Sequence, residues 1–189
     1  MKKTIILLAC VFTLGAYQNP CPVYGDKNES KIEDFDKLKN RNVASPTIDN
    51  SVTLQRILTP GNDVNRFNSN QYVTLTGYVV VVKAGGPETC ECHSSNPNDL
   101  DIHIELALHQ TDKGPQAMIV EINRYTKASN PGFTVENLKN LVGKKVTVSG
   151  WMLFDIEHVH NAVTTNPGGT NNWRYTCWEV HPVLKITTS

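Results

Sequence analysis

Residues 72–187 contain five segments in which apolar and polar side chains alternate, and this feature constrains the fold more than any other. A period of two is typical of half-buried strands. The segments lie at about 71–83, 100–109, 116–123, 144–154 and 173–187. A helical stripe at 134–142, capped by Thr134 and ended by Gly143, separates the third from the fourth. The order β-β-β-α-β-β predicts a mostly β protein with a five-stranded Greek-key barrel, the OB-fold.

Two connections of the predicted barrel are long, at about 84–99 and 155–172. Loops of this length in a compact domain are usually functional or disordered. OB-folds bind ligands on the face of strands 2 and 3 and with the loops 1–2 and 4–5. We therefore expect a site at this end of the barrel. Gly77 and Gly150 indicate bends in the first and fourth strands.

The N-terminus has the pattern of a signal peptide. Lys2 and Lys3 precede an apolar run at 5–14, which is too short to span a bilayer. We expect a signal peptide at 1–16, with cleavage between 16 and 25, and a periplasmic or secreted protein without a transmembrane segment. A lipid anchor at Cys10 is the less favoured alternative. Loss of the two lysines lowers the net charge from zero to −2, which argues against strong nonspecific nucleic-acid binding.

Residues 17–46 are polar and predict a flexible leader with a short, marginal helix. Ser30 and Glu33 form a capping box ahead of a thin apolar stripe. A second short helix is expected within 47–58, before Pro60-Gly61. The OB-fold domain would then occupy 47–189, with a short N-terminal helical extension.

Three cysteines lie in the predicted domain, and in an exported protein the expectation is a disulfide. A bridge between Cys90 and Cys92 would be strained by their spacing. We expect Cys177 to pair with Cys90 or Cys92. A soft-metal site made by thiolates is the alternative.

Acidic and histidine side chains share the outward face of two predicted strands. Asp101, His103 and Glu105 alternate along the second strand, whose other side chains are apolar, and Glu179 and His181 alternate along the fifth. Such groups can bind a metal or perform acid–base chemistry, or they can form a solvated face. The candidate ligand-binding residues are Asp101, His103, Glu105, Glu121, His158, Arg174, Glu179 and His181.

The candidate metal ligands are His103, His158 and His181, with zinc as a suitable divalent ion. His158 belongs to an HxH sequence at the exit of the fourth strand, but the following residues fit neither a metallo-β-lactamase nor a cupin pattern. A hydrogen-bonded histidine–glutamate network that fixes the barrel corner explains the same residues. Whether a metal is bound stays open at this point.

Five blocks together resemble a group of exported bacterial proteins that has a predicted OB-fold and no assigned activity. The blocks are Thr76–Val79, Gly85–Cys92, Asp101–Leu106, Gly150–Asp155 and Trp178–Val183. The resemblance covers about 51–187 and implies the fold rather than a function. A staphylococcal-nuclease-like active site has no counterpart here.

The sequence favours an exported OB-fold binding module, because the long loops flank a polar face and no complete catalytic motif is present. Its ligand would be a small molecule, an oligosaccharide or an oligonucleotide. The alternative is a metal-dependent, phosphodiesterase-like hydrolase that uses the same histidines, so enzymatic activity stays open. A structural envelope protein is a third interpretation.

Overall fold

A computed structural model describes residues 21–26 and 30–188 of the chain. The predicted signal peptide at 1–16 lies outside the described residues. The strands are β1 (Tyr72–Ala84), β2 (Ile102–Ala107), β3 (Met118–Ile122), β4 (Lys145–Phe154) and β5 (Trp178–Thr188). The α-helices are α1 (Ser30–Lys39), α2 (Leu54–Ile57), α3 (Arg124–Ser129) and α4 (Val135–Lys139).

The five strands close a barrel in the order β1-β2-β3-β5-β4, as in an OB-fold. Neighbouring strands are antiparallel except β3 and β5, which pair in parallel at Ile119–Glu179 and Val120–Val180. The fold class predicted from the alternation is confirmed. Inward side chains such as Ile104, Val120 and Val180 are fully buried in one core.

The connection from β3 to β4 holds two short helices rather than one. Thr134 caps α4 as predicted, but the helix ends at Lys139 and a turn leads to Gly143, which has a φ of +79°. The unpredicted α3 begins after Asn123, whose side-chain oxygen accepts a hydrogen bond from the Thr126 amide. Local capping therefore starts a helix where the apolar pattern is weak.

The fifth strand begins at Trp178 and not near 173 as predicted. Residues 173–177 form the end of a loop, although their apolar and aromatic content suits a strand. The reason is that Arg174 turns inward and its Nε donates to the backbone oxygen of Thr176, 2.7 Å away. A buried side chain thus replaces ladder hydrogen bonds in this segment.

The two glycines predicted as bends have different roles. The β4–β5 register shifts on both sides of Gly150, which confirms the irregularity there. In β1 the register shifts between Val79 and Val81 instead of at Gly77. Gly77 allows a close approach, since a Cβ there would lie 2.5 Å from Cδ2 of Leu54.

The described part of the predicted flexible leader is docked on the barrel. Phe35 and Lys39 of α1 are buried, at 6% and 2% exposure. After the helix, the Arg41 guanidinium donates to the backbone oxygens of Ser69, at 2.6 Å, and Met152, at 3.0 Å. These contacts with distant residues order a segment whose own apolar stripe is thin.

The predicted pairing of Cys177 with Cys90 or Cys92 is wrong. Cys92 forms a disulfide with Cys21, and Cys90 and Cys177 are free and buried. Residues 21–26 lie beside the β1–β2 loop, where the Asp26 amide donates to the Thr89 oxygen at 3.3 Å. Cys177 lies under the β4–β5 loop, with its sulfur 3.2 Å from the Thr165 hydroxyl. Docking of the N-terminal segment therefore decides the pairing.

Within 21–26 and 30–188, no helix is long and apolar enough to cross a membrane.

The close packing at Gly150 gives a test of the barrel. A Cβ at this position would lie 2.2 Å from the Pro182 backbone oxygen and 2.6 Å from Cγ1 of Val180. We expect Gly150→Ala to lower the free energy of unfolding in urea by about 1–3 kcal/mol, because β4 and β5 must separate. Gly132→Ala is the control, since no atom of the described residues lies within 4 Å of its Cβ position. Equal stability of the two variants would contradict this register.

Candidate functional site

The outer face of β2, β3 and β5 carries a buried layer of polar side chains. Its members are Asp101, His103, Glu105, Glu121, Glu179 and His181, none more than 8% exposed. Alternation predicted this face correctly, but the face is not solvated. Helix α1 and the loops β1–β2 and β4–β5 cover it, so charged groups are sealed between the barrel and its extensions. We call these six residues the polar layer.

Glu121 joins the two histidines of the polar layer. Its Oε1 lies 3.0 Å from Nδ1 of His103, and its Oε2 lies 3.1 Å from Nδ1 of His181. His103 and Glu121 are directly opposite in the β2–β3 ladder, which explains the first contact. Nδ1 of His181 is also 3.2 Å from Oε1 of Glu179. Carboxylates thus hold the Nδ1 edge of both imidazole rings.

The histidines and carboxylates of the polar layer shift one another's pKa values. Burial by itself would lower the pKa of His103 and His181, but hydrogen bonds and charges from the surrounding carboxylates raise both, that of His181 well above its usual value. Burial would raise the pKa of Glu121, yet hydrogen bonds from the two histidines hold it well below its usual range. The layer therefore favours charged, paired forms.

Arg174 connects the polar layer to the β4–β5 loop. Its guanidinium donates to Oδ2 of Asp155 at 2.6 Å and to Oε2 of Glu179 at 3.0 Å. Arg174 is 1% exposed, and both carboxylates are equally well buried. The same oxygen of Asp155 lies 2.6 Å from Nδ1 of His158. His158 is therefore linked to the layer through Asp155 and Arg174.

A second buried cation comes from α1. The ammonium of Lys39 donates to Glu88 of the β1–β2 loop and, at 3.1 Å, to Glu157 of the β4–β5 loop. Burial alone would lower the pKa of Lys39, but the charge of Glu88 and other acidic groups raises it well above its usual value. One side chain thus joins the helix to both long loops. Sequence analysis missed Lys39, because a lysine in a polar stretch predicts exposure.

The β1–β2 loop adds another buried carboxyl group that was missed. Glu91 is 1% exposed, and its Oε1 accepts a hydrogen bond from the Asp101 amide at 3.1 Å. Burial, followed by the charge of Asp101, raises the pKa of Glu91 to about 9. Burial also raises the pKa of the adjacent Cys90 thiol. Glu91 is therefore uncharged near neutral pH.

A cleft of about 400 Å³ opens above the polar layer. Its walls come from both long loops and the end of β1, and its lining includes Lys83, Glu88, His103, His158 and Trp173. The Trp173 ring centroid lies 5.6 Å from that of His103 and 5.2 Å from that of His158. The Lys83 ammonium lies 5.5 Å from the same ring centroid. Trp173 thus organises the mouth of the cleft.

The predicted site residues gather in one connected network, although not as a triad of histidines. His103 and His181 share Glu121, whereas His158 contacts Asp155 and the edge of Trp173. Their role as a metal-binding set stays a prediction.

A larger open groove of about 1470 Å³ lies between residues 21–23, the β1–β2 loop and α3. Among the described residues that line it, none belongs to the predicted site. The cleft above the polar layer is therefore the candidate functional site.

No protein-family model matches the sequence, and no curated protein matches it. Among solved structures, one that is similar is RecG bound to a three-way DNA junction, with 16% identity and a TM-score of 0.37. The match covers 91% of this chain and 18% of that chain. A similarity of this strength carries no functional argument, and the resemblance to exported bacterial proteins stays an expectation.

The His158–Asp155 pair predicts a pH-dependent contribution to stability. The hydrogen bond to Asp155 is the main cause that raises the pKa of His158. A raised pKa stabilises the fold fully below the unfolded value, about 6.5, and this stabilisation is lost as pH rises through the folded pKa. We expect His158→Gln to lose more unfolding free energy at about pH 5.5 than at about pH 8.5.

The measurement is urea unfolding of wild type and variant at both pH values. His109→Gln is the matched control, since His109 is 75% exposed in its side chain and contacts Asp112 at the surface. A deficit in His158→Gln that is equal at both pH values would show that the pair does not titrate on unfolding.

Proposed function

We propose that this chain is an exported OB-fold binding module that binds a small polar ligand in the cleft above the polar layer. The observation that carries the proposal is His103. It is 5% exposed and lines the cleft, and its Nε2 makes no close hydrogen bond with the described residues, since Oε1 of Glu105 lies 3.8 Å away. A buried polar atom without a partner costs free energy, which a ligand would recover. The position is the one at which OB-folds bind their ligands.

The shape and chemistry of the cleft support a small ligand. A volume of about 400 Å³ falls within the usual range of small-molecule sites. The acceptor groups Glu88 and Asp155 are already paired with Lys39 and Arg174. Lys83 is exposed at the rim, so the groups left for a ligand are mainly hydrogen-bond donors and the Trp173 ring. A small carboxylate or phosphate, or one unit of an oligosaccharide or oligonucleotide, fits this arrangement.

Export is supported by two observations of different kinds. The N-terminal sequence has the charge and apolar pattern of a signal peptide. The Cys21–Cys92 disulfide belongs to an oxidising compartment. Cleavage after Ala16 keeps Cys21 in the mature chain, whereas cleavage after Gly25 would remove it. We therefore propose the earlier cleavage position and a periplasmic or secreted protein.

Binding is tested through the fluorescence of Trp173. The other two tryptophans are not among the residues that line the cleft: Trp178 is 4% exposed in the core, and Trp151 donates to the Val43 oxygen. We expect one of three probe classes to give a saturable change: small carboxylates and phosphates, short oligosaccharides, or a single-stranded oligonucleotide. Lys83→Met should weaken binding about tenfold, because it removes a donor at the rim.

Lys145→Met is the matched control, since Lys145 also stacks on an aromatic ring, that of Tyr78, outside the cleft. It should bind as wild type does. If no probe class gives a saturable signal, or if both lysine variants bind equally, the cleft is not the binding site.

A further inference from the structure

The buried pair of Asp101 and His181 is left incomplete by the protein itself. Asp101 is 4% exposed and His181 is fully buried. Both carboxylate oxygens of Asp101 and Nε2 of His181 lack a hydrogen-bond partner among the described residues. Buried polar atoms are nearly always satisfied, so three such atoms at one place need an explanation.

The two side chains are in close contact, but the geometry of the contact is poor for a hydrogen bond. Nε2 of His181 lies 2.9 Å from Oδ2 of Asp101, and the directions of the groups do not suit donation. A ring nitrogen and a carboxylate oxygen approach this closely when a proton or a metal ion lies between them. Donor atoms on one zinc ion, with bonds of 2.0–2.1 Å, lie about 2.9–3.4 Å apart. The observed separation lies at the short end of this range, where two ligands make an angle of about 90° at the ion.

The surroundings of His181 also suit a ligand. Its Nδ1 lies 3.1 Å from Glu121 and 3.2 Å from Glu179, which orients the ring and leaves Nε2 free. Histidines that bind metals generally donate their other ring nitrogen to a carboxylate in this way. One donor atom each from Asp101, Glu121 and His181 lie within 4.8 Å of one another.

The excess of buried acid around this point favours a dication. Asp101 also belongs to a second set, with Cys90 and Glu91, whose donor atoms lie within 4.8 Å of one another. The cations nearest to the layer are already paired, Arg174 with Asp155 and Glu179. A divalent ion at Asp101 would lie among several buried carboxyl groups, an environment that favours a cation.

We propose that Asp101, Glu121 and His181 bind one divalent transition-metal ion, for which Zn²⁺ is the probe. Of the three histidines that the sequence suggests as metal ligands, this set keeps His181 and has carboxylates in place of the other two. A site with imidazole and carboxylate donors suits Zn²⁺ or Mn²⁺ better than Mg²⁺, which prefers oxygen ligands and retains water. The site lies beneath the cleft and does not depend on a ligand there, so it stands or falls separately from the proposed function.

The test uses the full mature protein, produced without a histidine tag. Elemental analysis should find about one zinc per chain, and calorimetry of the chelator-treated protein should show saturable binding of Zn²⁺ and negligible heat with Mg²⁺. Asp101→Asn should weaken Zn²⁺ binding at least about 100-fold, since it removes a ligand. Glu105→Gln is the matched control, because Glu105 is a buried carboxylate of the same layer outside the assigned set.

Glu105→Gln should bind Zn²⁺ with wild-type affinity. If Asp101→Asn does not fold, the test is the unfolding temperature of chelator-treated wild-type protein. Zn²⁺ must raise this temperature, and Mg²⁺ must not. The proposal is overturned if purified wild type holds no metal and shows no heat with Zn²⁺. It is also overturned if Asp101→Asn and Glu105→Gln bind Zn²⁺ equally well.

Discussion

The rest of the polar layer depends on the ion pairs that the Arg174 guanidinium forms with two buried carboxylates. It lies 1% exposed between Asp155, at the end of β4, and Glu179, on β5. Asp155 in turn contacts His158, and Glu179 contacts His181, so Arg174 holds in place the carboxylates that orient both histidines. Without this cation, two buried carboxylates would face each other and the β4–β5 loop would lose its anchor on the barrel.

Burial of an ionic layer in a small barrel has a large desolvation cost. Each charge loses hydration, and the attraction between partners recovers this cost only with good geometry and complete hydrogen bonding. Part of the buried ionic network meets that condition, because Lys39, Arg174 and Glu121 each contact two partners. The incomplete places, at His103 and at Asp101 with His181, are those for which we propose a ligand and a metal ion. Both proposed sites thus lie where the network is incomplete.

The alternation of side chains was enough to predict the barrel and the face that carries the site. A period of two assigns His103 and His181 to the outer face whatever the surroundings. It does not predict that the face is buried, because the cover comes from α1 and two irregular loops. Lys39 has no local signal for burial, and its partners Glu88 and Glu157 lie 49 and 118 residues away along the chain.

The cysteines show the same limit of prediction from local sequence patterns. The number of thiols and an export signal predict a disulfide, but not which residues form it. The Cys21–Cys92 bridge depends on where residues 21–26 dock, and no pattern in that segment gives its position. Likewise, the loop 173–177 has strand-like composition and is held instead by the buried side chain of Arg174.

The free energy of unfolding of Arg174→Met tests most directly whether the buried ionic layer holds the loops on the barrel. The change keeps much of the side-chain volume and leaves Asp155 and Glu179 without their shared cation. We predict a loss of about 3–5 kcal/mol, the usual cost of an uncompensated buried charge. Arg56→Met, at an exposed arginine over the Phe67 ring, should lose less than about 1 kcal/mol. Equal, small losses in both variants would contradict the account.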